Sequence, residues 1–411
     1  MILRRAIVAL LLAIGLCALA AAAATARTAP PPPLSAPAAA VLESSTGTAL
    51  FGRAAGQRRL IASTTKIMTA LVAVSSTPLD RVCTAPAYAA GPLEVVIHLR
   101  PGERMRLRDL LRATMLPSAN DAAATVAVCV GGSRAAFVAR MNARARQLGL
   151  RNTHFATPVG LDVPGNYSTA DDLARLAIAA RQNAFLRQTM NLPRAVLRSG
   201  DHARVVVNRN GLVQDVPWVD GVKTGHTNAA GFILAASGTQ HGETFVATVL
   251  GDPSEGASDA DALALLKWAF ASFRVATPVT RGAVYARPAV KLRPDQHVDV
   301  VAARSVRDVL ARDARVRLVV DVPRQLAGPI PARAIVGSLT VRANGRTVAR
   351  VPLVTRGAVP KVGLLEQIGR RLDGPGSLIA IVALLGGVAV LLVRGRGVRR
   401  RERRRADMEA A

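Results

Sequence analysis

Lysine is almost missing from this chain, at five of 411 residues against 49 arginines. Arginine holds its proton at any ordinary pH, whereas a desolvated lysine beside other cations can be neutral near pH 7. Chemistry that needs a free amine is therefore confined to five positions. Two of these have company: Lys66 closes Ser63-Thr64-Thr65-Lys66, and Lys223 opens Lys223-Thr224-Gly225. Lys267, Lys291 and Lys361 have none. Histidine is also scarce, and its six residues show no metal-ligand spacing, so neither a metal nor a cofactor is expected. Acids number 27 against 54 basic residues, a net charge of +27. That excess suits an anionic polymer partner, or follows from arginine-rich composition with no role attached. No nucleic-acid motif accompanies it, and no nucleic-acid partner is expected.

The three cysteines divide by place. Cys17 lies in an apolar N-terminal stretch and follows Leu16 rather than a small residue, so it does not read as a lipid-attachment site. Residues 1–26 have a basic start (Arg4, Arg5), an apolar run and a small-residue end at Ala24-Thr25-Ala26, the pattern of a secretory signal. An uncleaved anchor is the competing reading. Cys83 and Cys129 remain, and their spacing leaves open a disulfide or two buried thiols. Residues 27–37 are rich in proline and read as a stiff extended spacer rather than a packed element.

Near the other end, residues 377–393 form an uncharged apolar run of 17 residues, at the short limit for a membrane span. Residues 394–411 follow with eight arginines against three acids. Basic residues beside a span stay cytoplasmic. The expected topology is a single C-terminal span in the cell membrane, with residues from about 27 to 376 on the extracytoplasmic side and a short basic tail inside.

The outer part suits two domains. The first, 38–273, reads as α/β (α+β), with an antiparallel sheet and helices around it. Strands are expected at Ala39–Glu43, Thr48–Phe51, Val219–Thr224, Gly231–Ser237 and Thr244–Leu250. Helices are expected at Thr64–Val74, Arg106–Met115 and Asp121–Val130, then from Ser133 to Leu148, from Ser168 or Thr169 to Gln182, and at Asp259–Phe273 with Ser258 as cap. The second, 278–356, reads as a small all-β sandwich whose clearest hairpin turns at Asn344-Gly345. Residues 357–376 form a juxtamembrane segment in which Leu364, Leu365, Ile368 and Leu372 fall on one helical face.

Three motifs carry chemistry. Ser63 stands where the chain enters a helix, and Lys66 lies one turn on, on the same face. A serine hydroxyl is a poor nucleophile until a base takes its proton, and a neutral amine in reach does that. Ser118-Ala119-Asn120 falls on the break between two helices, where a hydroxyl and an amide both point into a cleft, although a plain helix cap is the commoner use of such a tripeptide. Lys223-Thr224-Gly225 ends a strand whose edge can pair with an extended peptide. There Lys223 adds positive potential and Gly225 leaves room for close backbone approach.

In this order the motifs resemble those of the penicilloyl-serine transferases. More closely, the sequence resembles the D-alanyl-D-alanine carboxypeptidases among the low-molecular-mass penicillin-binding proteins. The stretches that carry the resemblance are 61–69, 118–122, Asn208-Arg209-Asn210-Gly211-Leu212 and 219–227, the last including His226. The resemblance implies a β-lactamase/transpeptidase-like domain and a small β-domain. It also implies peptidoglycan stem peptides ending in D-Ala-D-Ala as substrate, with β-lactams as covalent inhibitors. Ser63 would attack the peptide carbonyl and Lys66 would act as general base. Ser118 with Lys223 would return the proton, and backbone N–H groups of Ser63 and His226 would form the oxyanion hole. Asn120, Thr224 and Gly225 would hold the substrate, with Arg209 as clamp for its carboxylate. The apolar run at 377–393 departs from relatives that carry an amphipathic anchor.

Other functions compete. A serine β-lactamase shares nucleophile and base, but one well-known group needs a glutamate between the second and third motifs, and residues 121–222 contain none. A transpeptidase or endopeptidase of the same chemistry stays open. A non-catalytic wall-binding or β-lactam-sensing membrane protein would be expected to have lost motif residues, yet Ser63, Lys66, Ser118, Asn120, Lys223 and Thr224 are all present.

Overall fold

The computed structural model describes residues 29–92, 94–361, 363 and 375–409. The expected signal at 1–26 and the juxtamembrane leucines and isoleucine at 364–372 lie outside them. The chain divides into two compact units. One runs to Ala276 and takes in Arg307–Ala314; the other holds Thr277–Val306 and the chain from Arg315.

The first unit is built on a five-stranded antiparallel sheet of β1 (Ala38–Glu43), β2 (Ala49–Arg53), β3 (Val219–Thr227), β4 (Gly231–Gln240) and β5 (Glu243–Asp252). Their order across the sheet is β2-β1-β5-β4-β3. Both faces are covered, which is why β1 reads as an unbroken apolar run rather than an alternating one. Ala38, Ala40 and Leu42 face one core, while Ala39 and Val41 face the other. The larger core is filled by α1 (Lys66–Ser76), α2 (Leu107–Met115), α3 (Asn120–Gly131), α4 (Arg134–Gln147) and α5 (Ala170–Arg181). The smaller core lies under α6 (Glu255–Ser272).

Helix ends follow their caps. Ser133 accepts the N–H of Ala136, as the sequence predicts, and of the two candidates for the next helix it is Thr169, not Ser168, that accepts the N–H of Asp172. At α6 the cap is Ser254, which accepts from Ala257, and Ser258 lies inside the helix. Asp259 is thus one turn past the helix start, because Ser254, five residues earlier, caps the first turn.

The spacer reading of 27–37 fails where the chain meets α6. Ala36 is fully buried, and the N–H groups of Ser35 and Ala36 donate to Asp261 Oδ2 at 2.6 and 2.8 Å. The Trp268 indole donates to the Ala29 carbonyl at 2.7 Å. A carboxylate that accepts two backbone donors and an indole that takes a third group turn an extended proline-rich segment into a docked one.

Cys83 and Cys129 form a disulfide, which joins the strand Val82–Thr84 to α3. A second tie is buried: Arg204 reaches Glu103 with two hydrogen bonds of 2.7 and 2.9 Å, and Glu103 also accepts the N–H of Asp201. Sequence periodicity gave no warning of the hairpin Arg194–Leu197/Arg204–Val207 that this pair holds in place.

The second unit contains a five-stranded sheet of β6 (Val284–Ala286), β7 (Val300–Ala302), β8 (Val316–Asp321), β9 (Ile335–Ala343) and β10 (Arg346–Thr355). Their order is β6-β7-β10-β9-β8. The expected hairpin at Asn344-Gly345 joins β9 to β10, with both turn residues at positive φ. A three-stranded sheet and a core around Val300, Leu339, Val341 and Leu353 complete the unit. Residues 377–393 fall within one helix, Pro375–Glu409. Among the described residues, no single helix is long and apolar enough to cross a membrane.

The disulfide closes a loop with a sequence separation of 46 residues. Replacing both cysteines by serine should cost about 2–4 kcal/mol of stability, read as a lower urea midpoint.

Candidate active site

Ser63 sits on a single 3₁₀ turn, Ala62–Thr65, that runs directly into α1, so Lys66 is the first α-helical residue. The Lys66 side chain is fully buried. Its Nζ donates to Ser63 Oγ at 2.9 Å and to the carbonyl of Val159 at 2.6 Å. Burial, the larger effect, and Arg209 push the amine down, while Glu94 pushes it up; the balance lies at about 7. An amine with that value spends much of its time unprotonated at neutral pH, which is the state a base must have.

Three small residues let the surrounding chain close on this turn. Ala62 takes a φ of 44°, a conformation that side chains disfavour. A Cβ on Gly160, itself at φ +88°, would lie 2.0 Å from the Ala62 carbonyl oxygen. A Cβ on Gly225 would lie 3.1 Å from the Ile61 oxygen and 3.2 Å from the Thr64 nitrogen. The close approach that Gly225 permits is thus to the serine turn. The loop carrying Val159 and Gly160 is clasped to α1 by Thr69 Oγ1, which donates to the Pro158 carbonyl at 2.6 Å.

Ser118 lies between α2 and α3 at φ 72°, buried, and its Oγ has no hydrogen-bond partner among the described residues. Asn120 opens α3. Its N–H donates to Val95 O at 2.7 Å and its amide to Glu94 Oε2 at 2.6 Å. Asp121 receives the N–H groups of Ile97 and Leu99, which fixes the segment after Glu94 on the start of α3. The Arg209 N–H donates to Leu116 O, next to the Ser118 turn.

Lys223 is not at a strand end, because β3 continues to Thr227. Its side chain is buried and donates to the Thr224 carbonyl at 3.0 Å. Burial first, then Lys66 and Arg209, pushes its amine well below the ordinary value, so the positive potential expected from it is weakened. His226 is exposed, its ring stacked on Phe232 at 4.0 Å.

Ser63, Ser118, Asn120, Arg209, Thr224 and His226, with Gly225, line one cleft of about 520 Å³. Lys66 and Lys223 are buried rather than among its lining residues. All nine residues singled out from the sequence thus converge on one site. Glu94 also lines the cleft and was missed. It accepts from Asn120, from the Gly91 N–H and, through a short hydrogen bond, from the Tyr88 hydroxyl. Burial alone would raise its carboxyl, but the bonds from Tyr88, Asn120 and Gly91, with the charge of Lys66, outweigh it and hold the group low. The chain has only eight glutamates. The scarcity that drew attention to lysine applied equally to this acid. No group of three or more potential metal ligands occurs among the described residues.

Residues 24–254, more than half of the chain, match the D-alanyl-D-alanine carboxypeptidase family. The chain belongs to that family. It is 30% identical over 344 residues to the D-alanyl-D-alanine carboxypeptidase DacA of Escherichia coli K12, spanning 80% of this chain and 84% of that protein. Penicillin binding protein 5 from Haemophilus influenzae has the same fold at a TM-score of 0.68 and 26% identity, over 81% of this chain and 99% of the other. The Streptomyces K15 DD-transpeptidase aligns over 59% of this chain and 99% of its own, with a TM-score of 0.56 and 34% identity. These family relationships support a serine-type carboxypeptidase with a mixed α/β fold.

Two outcomes follow from the geometry. Gly160→Ala should displace the loop that binds Lys66 and lower the rate of penicillin acylation by about 100-fold, measured by stopped flow with a fluorescent penicillin. Glu94→Gln removes the charge that keeps the Lys66 proton on, so the acid limb of the acylation rate profile should move to lower pH from its position near 7. A limb that stays in place would separate Glu94 from Lys66.

Proposed function

We propose that this cleft removes the terminal D-alanine from peptidoglycan stem peptides. The observation that carries the reading is the buried Lys66 amine, near neutrality in pKa and 2.9 Å from Ser63 Oγ. Lys66 takes the Ser63 hydroxyl proton as Oγ attacks the carbonyl between the two D-alanines. Oxyanion charge falls between the backbone N–H groups of Ser63 and His226, a donor pair of the kind that contributes about 3–4 kcal/mol for each member. The C–N bond breaks, Ser118 and Lys223 pass a proton to the departing amine, and an ester remains on Ser63. Water then attacks that ester and releases the shortened stem.

Asn120 and Thr224 hold the peptide, and the exposed guanidinium of Arg209 receives the terminal carboxylate. The free hydroxyl of Ser118 suits a relay, because no protein group competes for it among the described residues. β-Lactams enter the same path and form a stable ester. The nearest glutamate, Glu94, lies before the second motif and is occupied by Tyr88, Asn120 and Gly91. That arrangement disfavours the β-lactamase reading. Likeness to a DD-transpeptidase supports a second reading, in which an amine replaces water as acceptor.

For location, we propose export by the signal at 1–26 and anchoring in the cell membrane by residues 377–393. The disulfide supports an oxidising, extracytoplasmic compartment. Leu384, Leu385, Leu391 and Leu392 are all more than 60% exposed, and arginines follow from 394. Exposed leucines followed by arginines are the pattern on which this anchor reading rests.

Incubated with diacetyl-L-lysyl-D-alanyl-D-alanine and a fluorescent penicillin, the purified protein should release D-alanine and take a covalent label that persists for minutes. Ser63→Ala should abolish both. Label turnover of many per second would instead mark a β-lactamase, and D-alanine release by Ser63→Ala would defeat the mechanism. Separately, a stop codon after residue 376 should move the protein from the membrane pellet to the soluble fraction.

A further inference from the structure

The outer strand of the second unit is an exposed sheet edge. β8 lies at one edge of its sheet, paired only with β9, and every one of its six residues is exposed. Val316, Leu318 and Val320 stand opposite Ala343, Val341 and Leu339, so they share the face on which Leu339 and Val341 are fully buried. The apolar layer of this unit therefore runs out at the edge, with Leu318 at 38% and Val320 at 40% exposure. Native proteins usually blunt such edges with proline, a bulge or inward-pointing charge. Residues 316–321 contain no proline, and their pairing with β9 runs without a register shift.

The other face of β8 carries Arg317, Val319 and Asp321. Neither charged residue has an ion-pair partner among the described residues. Arg317 stands directly opposite Arg342, and like charges in that position repel. A negative group on the free side of β8 would relieve the repulsion.

We propose that β8 is a homodimer interface, which pairs antiparallel with β8 of a second copy about a two-fold axis through Val319. The sequence is self-complementary in that register. Arg317 meets Asp321 of the second copy, and Asp321 meets its Arg317, so two opposite-charge pairs flank a central valine pair. On the opposite face Leu318 meets Val320, and Val320 meets Leu318, which continues the apolar layer of each unit into the other. A shift by one residue would set Arg317 opposite an apolar residue and turn the apolar row away from its counterpart, so the charges and the core specify one register. The two sheets become one ten-stranded sheet, and each copy supplies the same patch, as closed two-fold symmetry requires.

Charge reversal tests this on the full-length protein in detergent, with mass followed by sedimentation across a concentration series. Arg317→Asp and Asp321→Arg should each raise the dimer dissociation constant by about tenfold or more, since each creates two like-charge pairs. The double variant Arg317→Asp/Asp321→Arg should return it to within about threefold of the wild type, since cross-strand pairs of either polarity are worth the same. Val319→Cys, made in a Cys17→Ser background, should give a disulfide-linked dimer on mild oxidation, because Cβ atoms of directly opposite residues lie about 4.5–5.5 Å apart. A wild type that stays monomeric would overturn the proposal. So would single reversals without effect, a double reversal without rescue, or a Val319→Cys protein that does not cross-link.

Discussion

Burial of one amine organises the catalytic half of this protein. Lys66 has no exposed surface, and a full charge held there would cost several kcal/mol. The chain meets that cost partly by giving the amine two acceptors, Ser63 Oγ and the Val159 carbonyl, and partly by allowing the proton to leave. Each neighbouring feature serves the enclosure. The loop at 157–160 forms one wall, the 3₁₀ turn forms another, and β3 presses in through Gly225. Arginine in place of lysine would bring a larger, permanently charged group into a fully buried space.

The acids of this chain are few, and many are spent on backbone geometry rather than on charge pairs. Asp121 holds the N–H groups of Ile97 and Leu99, Asp109 those of Arg198 and Ser199, and Asp261 those of Ser35 and Ala36. The arginines that matter to the fold are the exceptions that found an acid inside. Arg204 clasps Glu103, and Arg181 reaches Asp220 at 2.8 Å and Ser237 at 2.7 Å. The others shown mostly face solvent, where an ion pair adds little.

What the sequence conveyed was whatever a local rule enforces. Ser133 had to cap a helix, Asn344-Gly345 had to turn a hairpin, and lysines in an arginine-rich chain had to have a reason. What it withheld depends on contacts between distant segments. Glu94 joins the site only because Asp121 and Asn120 bind the stretch after it. The docked segment around Ala36 depends on Asp261, 225 residues later. The hairpin at 194–207 is held by Glu103, and no pattern inside the hairpin announces that partner. Ser254 rather than Ser258 caps α6, since two serines met the same local rule and the closing of β5 into the helix chose between them.

The tight triangle of Ala62, Gly160 and Gly225 has a consequence for the order in which this protein becomes competent. Its three corners come from segments about 100 and 65 residues apart in the sequence. A chain emerging from its N-terminus presents Ser63 early, but the wall that desolvates Lys66 arrives only with residue 159 and the strand behind the turn only with residue 225. Until then the lysine is hydrated and cationic, and the serine has no base. The nucleophile is therefore inert throughout synthesis, and it switches on when the last corner locks.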